Sequence, residues 1–186
     1  MPDTEFEIST TRRDEFDEIM AMTRRAAVFN ETEVDTVTEL LEGYDEGPEI
    51  SGYNFLSCRE VMHPERNEVQ SKDAGNAGES KDEIPGKVIG YACWGPRDLS
   101  GNGYDLYWIC ADPAVHSKGV GRALMNAVEE EIRQRHGVWL VIETSDTEHY
   151  APARRLYERC GYALAMLLQD FYHDGDGLCT YTKRLR

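Results

Sequence analysis

Residues 109–124 read ICADPAVHSKGVGRAL, and this stretch joins a predicted strand to a predicted helix. An apolar run ends at Asp112-Pro113, where proline stops the strand because it has no amide hydrogen to donate. Gly119 and Gly121 then open a helix and allow the backbone to approach a ligand closely. The unpaired N–H groups and partial positive charge of such a helix N-terminus favour an anion, and a pyrophosphate would suit this junction.

Two cations, Lys118 and Arg122, flank these glycines in an otherwise acidic chain. The competing interpretation is an ordinary strand-to-helix turn that happens to contain glycines. The loop is neither a P-loop, which needs GxxxxGK[ST], nor a Rossmann loop, which needs GxGxxG. Here Ala123-Leu124 follows the second glycine instead.

Hydrophobic periodicity on both sides of this junction predicts the element order β-α-α-β-β-β-α-β-α-β-β. Because several strands are adjacent in sequence, the order indicates a mixed α+β sheet and not a doubly wound one. The predicted strands are Glu5–Ile8, Tyr53–Arg59, Lys87–Trp94, Tyr104–Ala111, Val138–Thr144, Tyr162–Leu168 and Leu178–Lys183. The predicted helices lie around Phe16–Thr23 and over Glu31–Leu41, Gly119–Arg135 and Pro152–Cys160. The strand Tyr104–Ala111 is expected to be buried on both faces.

The length of 186 residues predicts a single domain over residues 1–186. Residues Pro64–Gly86 are rich in Glu, Ser, Asn, Gly and Lys and nearly free of apolar side chains. Such a composition predicts a flexible polar insertion at the tip of a hairpin.

The net charge of −15 argues against a nucleic-acid partner, because phosphate contacts need a basic surface. Neither a signal peptide nor an apolar run of about 20 residues is visible, so a cytoplasmic protein without a membrane partner is expected. The five cysteines are odd in number and widely spaced, and no CxxC pair occurs among them. They are therefore predicted to be free thiols, and no metal is expected.

With these motifs the sequence resembles the GNAT superfamily of acetyl-CoA-dependent N-acyltransferases. Its motif A, [QR]-x-x-G-x-[GA], is matched over residues 116–121, although His116 stands where Gln or Arg is typical. Its motif B, A-x-x-LYE-x-x-G-[FY], is matched by ARRLYERCGY over residues 153–162. Tyr150 replaces an Asn that usually precedes this motif, so one CoA contact of the family is in question.

The resemblance implies a mostly antiparallel sheet of about seven strands flanked by about four helices, with a splay between strands 4 and 5. The pantetheine arm of acetyl-CoA would lie in the splay against Ile109, Cys110 and Ala111. A backbone N–H there would stabilise the oxyanion of the tetrahedral intermediate. The pyrophosphate would lie on the loop formed by Ser117, Lys118, Gly119, Val120, Gly121 and Arg122.

The resemblance also implies that Tyr157 is the general acid that protonates the departing CoA thiolate; a core tyrosine is the alternative. The proton of the acceptor amine must be removed as well, because an amine of pKa near 10 is mostly protonated at pH 7. Asp105, Glu143 and a water chain are three open candidates for the base. His149 and His173 are expected to be structural or solvated.

The sequence therefore predicts an N-acetyltransferase that moves an acetyl group from acetyl-CoA to an amine by direct transfer in a ternary complex. A catalytically silent CoA-binding or sensor module of the same fold is the alternative, and an O-nucleophile or a longer acyl donor is a third. The expected partner is a small-molecule amine or a peptide amine, and a homodimer remains open.

Overall fold

The computed structural model of the protein describes residues 5–61, 86–115 and 119–186. The predicted insertion at Pro64–Gly86 lies outside the described residues, apart from Gly86. The strands are β1 Phe6–Thr10, β2 Asn54–Glu60, β3 Val88–Pro96, β4 Gly103–Ala111, β5 Trp139–Ser145, β6 Ala163–His173 and β7 Asp176–Arg184. The α-helices within the described ranges are α1 Phe16–Ala26, α2 Glu31–Glu46, the one-turn α3 Pro48–Ser51, α4 Val120–Gln134 and α5 Ala151–Arg159.

The seven strands form one sheet in the order β1-β2-β3-β4-β5-β7-β6. Every neighbouring pair is antiparallel except β4 and β5, which are parallel because α4 connects them across one face. The predicted fold class, a mixed and mostly antiparallel α+β sheet, is confirmed.

Helices cover both faces of the sheet, and β2 and β3 are buried on both sides. Along β3 the side chains alternate between two cores: Ala92 and Trp94 belong to one, and Tyr91 and Cys93 to the other. Helix α4 packs on the first core with its predicted stripe of Leu124, Val128 and Ile132. Helices α1 and α2 cover the second core.

The parallel ladder between β4 and β5 is short, so the two strands separate beyond it. Pairing runs only from Gly103 opposite Trp139 to Leu106 opposite Ile142, although both strands continue beyond it. Directly after the last pair, β4 contains one extra residue, Tyr107. The consecutive β3 residues Cys93 and Trp94 pair with Trp108 and Leu106, so Tyr107 between them has no partner on β3. This β-bulge bends strand β4. The predicted splay between strands 4 and 5 is therefore present, whereas burial of strand 4 on both faces is wrong, since Tyr107 is 37% exposed.

The cysteines are all free, as predicted. Cys160 is half-buried, and the other four are buried at Cys58, Cys93, Cys110 and Cys179. No helix in the described ranges is long and apolar enough to cross a membrane.

A buried ion pair ties the start of α1 to the outer strands. The guanidinium of Arg59 on β2 donates from Nε and Nη2 to the two carboxylate oxygens of Glu15, at 2.5 and 2.7 Å. Arg59 is 1% and Glu15 4% exposed. Burial acts to raise the pKa of Glu15, but the hydrogen bonds from Arg59 and Arg12 outweigh it, so the pKa lies below its ordinary value of 4.5.

We predict that Glu15→Gln lowers the free energy of unfolding by about 3 kcal/mol at pH 7, because it leaves the Arg59 guanidinium buried without a counter-charge. In the wild type this stabilisation should be complete above pH 4.5 and should be lost as the pH falls through the lower pKa of the folded state. Urea unfolding between pH 7 and pH 3 measures both effects. Glu42→Gln, on the exposed side of α2, is the matched control. Equal losses in the two variants would contradict the prediction.

Candidate active site

A cavity of about 1390 Å³ opens where β4 and β5 separate. Its walls come from the segment between α1 and α2, from β4 and β5, from the segment around the start of α5, and from the β6–β7 hairpin. Five of the predicted site residues line it: Ile109, Cys110, Ala111, Glu143 and Tyr157. The splay thus brings together, at one place, residues that are far apart in the sequence.

The backbone of β4 presents free polar groups to the gap. The N–H of Asp112 donates to the carbonyl of Ile89 on β3, at 2.9 Å. Because backbone groups alternate in direction along a strand, those of Cys110 also face β3, whereas those of Ile109 and Ala111 face the gap. These two residues fit the amides of a pantetheine arm. The backbone of Cys110 faces β3 instead. The placement of the arm against all three residues stays a prediction.

The environment of the Cys110 thiol does not suit a nucleophile. It is buried, and this burial raises its pKa to about 12. At neutral pH it therefore stays a neutral thiol, and only a thiolate is a good nucleophile.

Tyr157 lies in the second turn of α5 and reaches the cavity wall while only 5% exposed. Its ring packs against that of Tyr181 on β7, with the centroids 5.8 Å apart. Burial raises the pKa of the phenol well above its ordinary value. The hydroxyl therefore keeps its proton at neutral pH, as a group that donates a proton to a leaving thiolate must.

The two carboxylates predicted as base candidates lie where the pairing of β4 and β5 ends: Asp105 still pairs with β5, and Glu143 directly follows the last paired residue, Ile142. Arg97 binds both carboxylates. Asp105 accepts a short hydrogen bond from Arg97 Nη1, and Glu143 Oε1 lies 3.6 Å from Arg97 Nη2. Asp105 lines a second cavity of about 450 Å³, whereas Glu143 lines both cavities. Burial raises the pKa of Asp105, and the guanidinium of Arg97 offsets part of this rise.

The N-terminus of α4 is described from Gly119 onward; the predicted phosphate-loop residues Ser117 and Lys118, with His116, lie outside the described residues. Gly119 has φ +81°, and no atom of the described residues beyond its chain neighbours and its own helix lies within 4 Å of where a side chain would begin. Val120 is buried in the core beneath.

The second glycine of the motif has a packing role. A Cβ on Gly121 would lie 3.0 Å from Leu156 Cδ2, so its missing side chain lets α4 approach α5. The Arg122 guanidinium donates to the carbonyl of Arg159 at 3.2 Å, which also joins the two helices. The first N–H groups of α4 have no partner within the helix.

Aromatic and acidic residues that the sequence did not single out complete the cavity. The rings of Phe29 and Trp108 pack with centroids 4.9 Å apart, and the buried indole Nε1 of Trp108 has no hydrogen-bond partner among the described residues. Tyr172 comes from β6, and the acids are Glu33 and Asp176. No local signal marks these residues, because they come from distant parts of the chain.

Tyr150, which replaces the family's usual Asn, donates a short hydrogen bond to Glu33 at the start of α2. This bond joins the segment before α5 to the opposite cavity wall. His149 Nε2 lies 3.0 Å from the carbonyl of Val28, and His173 lies beside Asp176 at 3.4 Å. Both histidines line the cavity, where the sequence suggested only structural or solvated roles.

Comparison with known proteins agrees with this architecture. The model of the acetyltransferase (GNAT) family matches residues 43–162. A GNAT-family structure from Desulfovibrio desulfuricans is 27% identical, with a TM-score of 0.79 over 98% of this chain and all of the other. No curated protein sequence matches the chain.

Two more distant structures share the fold. The ribosomal-protein-S18-alanine N-acetyltransferase of Escherichia coli is 18% identical, with a TM-score of 0.67 over 97% of this chain and 94% of the other. A Salmonella typhimurium structure with acetyl-CoA bound is 19% identical, with a TM-score of 0.69 over 98% of this chain and 95% of the other.

We predict that Arg97→Met raises the pKa of Asp105 further, because the substitution removes its hydrogen-bond donor and counter-charge. Side-chain carboxyl chemical shifts followed by NMR through a pH titration measure the change. Arg24→Met, on an exposed position of α1, is the control and should leave Asp105 unaffected. An unchanged pKa in Arg97→Met would show that the ion pair does not form in solution.

Proposed function

Because the chain belongs to the GNAT acetyltransferase family, we propose that it transfers an acetyl group from acetyl-CoA to an amine acceptor, directly and within a ternary complex. The observation that carries the proposal is the splay, where Ile109 and Ala111 present free backbone groups beside the buried phenol of Tyr157. The similar structure with acetyl-CoA bound supports the donor. The Escherichia coli neighbour, named for an alanine of ribosomal protein S18, supports an amine acceptor.

Acetyl-CoA would bind with its pantetheine arm in the gap and its pyrophosphate at the start of α4. Ile109 and Ala111 would pair with the arm as a neighbouring strand does. The amides from Gly119 to Arg122 would hold the pyrophosphate, with Ser117 and Lys118 as further predicted contacts. The bulge at Tyr107 turns the β4 backbone where the thioester would lie, so a backbone N–H there would stabilise the oxyanion.

The acceptor nitrogen attacks the thioester carbon, a C–N bond forms, and the C–S bond of the tetrahedral intermediate then breaks. Tyr157 donates its proton to the sulfur as this bond breaks. We assign Glu143 as the base that takes the amine proton, since it lines both cavities and its contact with Arg97 is longer than that of Asp105. Asp105 would then fix the position of Arg97, which also contacts Glu143.

The first test is the reaction itself: free CoA release from acetyl-CoA, measured with a panel of amines, peptides and antibiotics. Tyr157→Phe should lower kcat by about 10²–10⁴-fold, because a positioned general acid is lost. Its affinity for acetyl-CoA, measured by calorimetry, should stay nearly intact. Tyr162→Phe is the control, because this buried tyrosine bonds to Glu129 away from the cavity. Wild-type turnover in Tyr157→Phe would leave Tyr157 as a core residue, and binding without turnover on any amine would favour the sensor alternative.

The acceptor end of the site is acidic and aromatic, which favours a cationic amine. Glu33, Glu143 and Asp176 line the larger cavity, and Asp98 with Asp105 lines the smaller one. Such carboxylates would attract positive acceptors and raise their capture rate. The rings of Phe29 and Trp108 would pack on the apolar part of the acceptor.

We predict that kcat/KM for a cationic polyamine exceeds that for a neutral amine and falls as salt rises, because exposed charges are screened beyond about 10 Å at 0.1 M. Asp98→Asn should weaken this salt dependence, because Asp98 lies at the cavity mouth. Glu42→Gln, distant on α2, removes the same charge and should leave it unchanged. A preference for an anionic acceptor, or a salt-independent kcat/KM for the polyamine, would contradict the electrostatic proposal.

A further inference from the structure

The segment between α1 and α2 crosses the candidate active site on the face of the sheet that these two helices cover. Residues 28–33, which we call the crossbar, contribute to the wall of the larger cavity. On the β4 side, the ring of Phe29 packs on Trp108, just beyond Leu106, where the pairing with β5 ends. Both rings pack against the second core. Apolar contact thus fixes the crossbar to β4 where the gap begins.

The second attachment of the crossbar is polar and comes from the chain that follows β5. His149 and Tyr150 belong to the short turn Glu148–Tyr150 between β5 and α5. His149 Nε2 lies 3.0 Å from the carbonyl oxygen of Val28, and the Tyr150 hydroxyl donates a short hydrogen bond to Glu33 Oε1. Side-chain contacts of the crossbar therefore bridge the gap where β4 and β5 do not pair.

Glu33 is a firm anchor for this bond because it is part of the capping box of α2. Its second carboxylate oxygen accepts from the backbone N–H of Asn30 at 2.8 Å, and its own N–H donates to Asn30 Oδ1 at 3.0 Å. Tyr150 is therefore bonded to the first turn of a 16-residue helix. Burial raises the pKa of the Tyr150 phenol, and Glu33 raises it further, so the hydroxyl keeps its proton and donates it at neutral pH.

The crossbar belongs to the acceptor side of the site. The groups that would hold acetyl-CoA are the backbones of Ile109 and Ala111 and the first amides of α4, and none of them lies on the crossbar. The crossbar instead supplies Phe29 and Glu33, which would contact the acceptor. In the family an Asn at the position of Tyr150 usually contacts CoA, whereas here the hydroxyl of the tyrosine is bonded to α2.

We propose that Tyr150 is a positioning residue for the acceptor. Through its hydrogen bond to Glu33 it holds the crossbar across the gap, and the crossbar in turn fixes the ring of Phe29 on which the acceptor packs. The inference rests on the proposed transfer to an amine. Loss of the hydroxyl removes one of the two polar attachments of the crossbar, so the acceptor wall loosens while the donor contacts and Tyr157 stay in place.

The kinetic test is Tyr150→Phe, which removes only the hydroxyl. The acceptor is the amine of the panel that gives the fastest CoA release. We expect its KM to rise about tenfold, because the crossbar loses a hydrogen bond to a carboxylate. The kcat at saturating amine and the Kd of acetyl-CoA should stay nearly unchanged, whereas a loss of folded protein would lower kcat and leave KM in place. Tyr162→Phe is the matched control, because it removes another hydroxyl bonded to a glutamate, Glu129 at 3.1 Å.

Tryptophan fluorescence of the ligand-free protein tests the crossbar apart from the reaction, because Phe29 packs on Trp108. Of the three tryptophans, Trp94 is buried in the other core and Trp139 is 42% exposed. The measurement therefore uses a Trp139→Phe background. There Tyr150→Phe should increase quenching by acrylamide and shift the emission to the red, since Trp108 meets more water when the crossbar loosens.

Two substitutions of Glu33 separate the hydrogen bond from the charge. In Glu33→Gln the amide can still accept from Asn30 and donate to the Tyr150 hydroxyl, so the quenching of Trp108 should stay at the wild-type level. Glu33→Leu removes both bonds and should increase the quenching as Tyr150→Phe does. Circular dichroism checks that each variant is folded.

The proposal is overturned if Tyr150→Phe leaves the quenching or the acceptor KM unchanged, if kcat or the Kd of acetyl-CoA changes as much as KM, or if Tyr162→Phe has equal effects. A wild type that acetylates no amine would overturn the proposed function, and the acceptor role of Tyr150 with it. The quenching would then still decide whether Tyr150 holds the crossbar, so the two failures are distinguishable.

Discussion

The structure depends on the β4–β5 ladder, which ends before the two strands do. β4 and β5 pair over four residues and then diverge after Leu106 and Ile142. Backbone groups inside a protein are costly when they have no partner. The N–H and C=O groups of Ile109 and Ala111 must therefore meet water or a ligand that pairs as a strand would. The gap is thus the candidate binding site because the sheet is incomplete there.

The two ends of this gap differ in charge. At one end the first amides of α4 present a partial positive charge that favours an anion. At the other end lie Glu143 and Asp105, with Arg97 between them as a shared counter-ion. Between the ends, Tyr157 is buried, and the same low-polarity surroundings that raise the pKa of its phenol would strengthen each hydrogen bond to a reacting group. The polarity of the cavity thus matches an anionic donor at one end and a cationic acceptor at the other.

The β6–β7 hairpin connects this site to the edge of the sheet. Tyr172, His173 and Asp176 stand on the cavity wall, yet the strand that carries the first two has water on both faces. Among the described strands, β7 is the one that pairs with it.

The sequence by itself determined the seven strands, the four longer α-helices, their order and the family, because these follow from periodicity and motifs within a few tens of residues. It did not predict the one-turn helix α3. The ion pair between Arg97 and Asp105 could have been predicted from the sequence, because a hairpin register that places Gly95 opposite Asp105 brings the two side chains together. Only the tertiary structure decided that Gly121 makes room for Leu156, and it also gathered the aromatic and acidic residues that line the cavity. Side chains tens of residues apart meet through the packing of whole elements, and no local pattern of the chain encodes that packing.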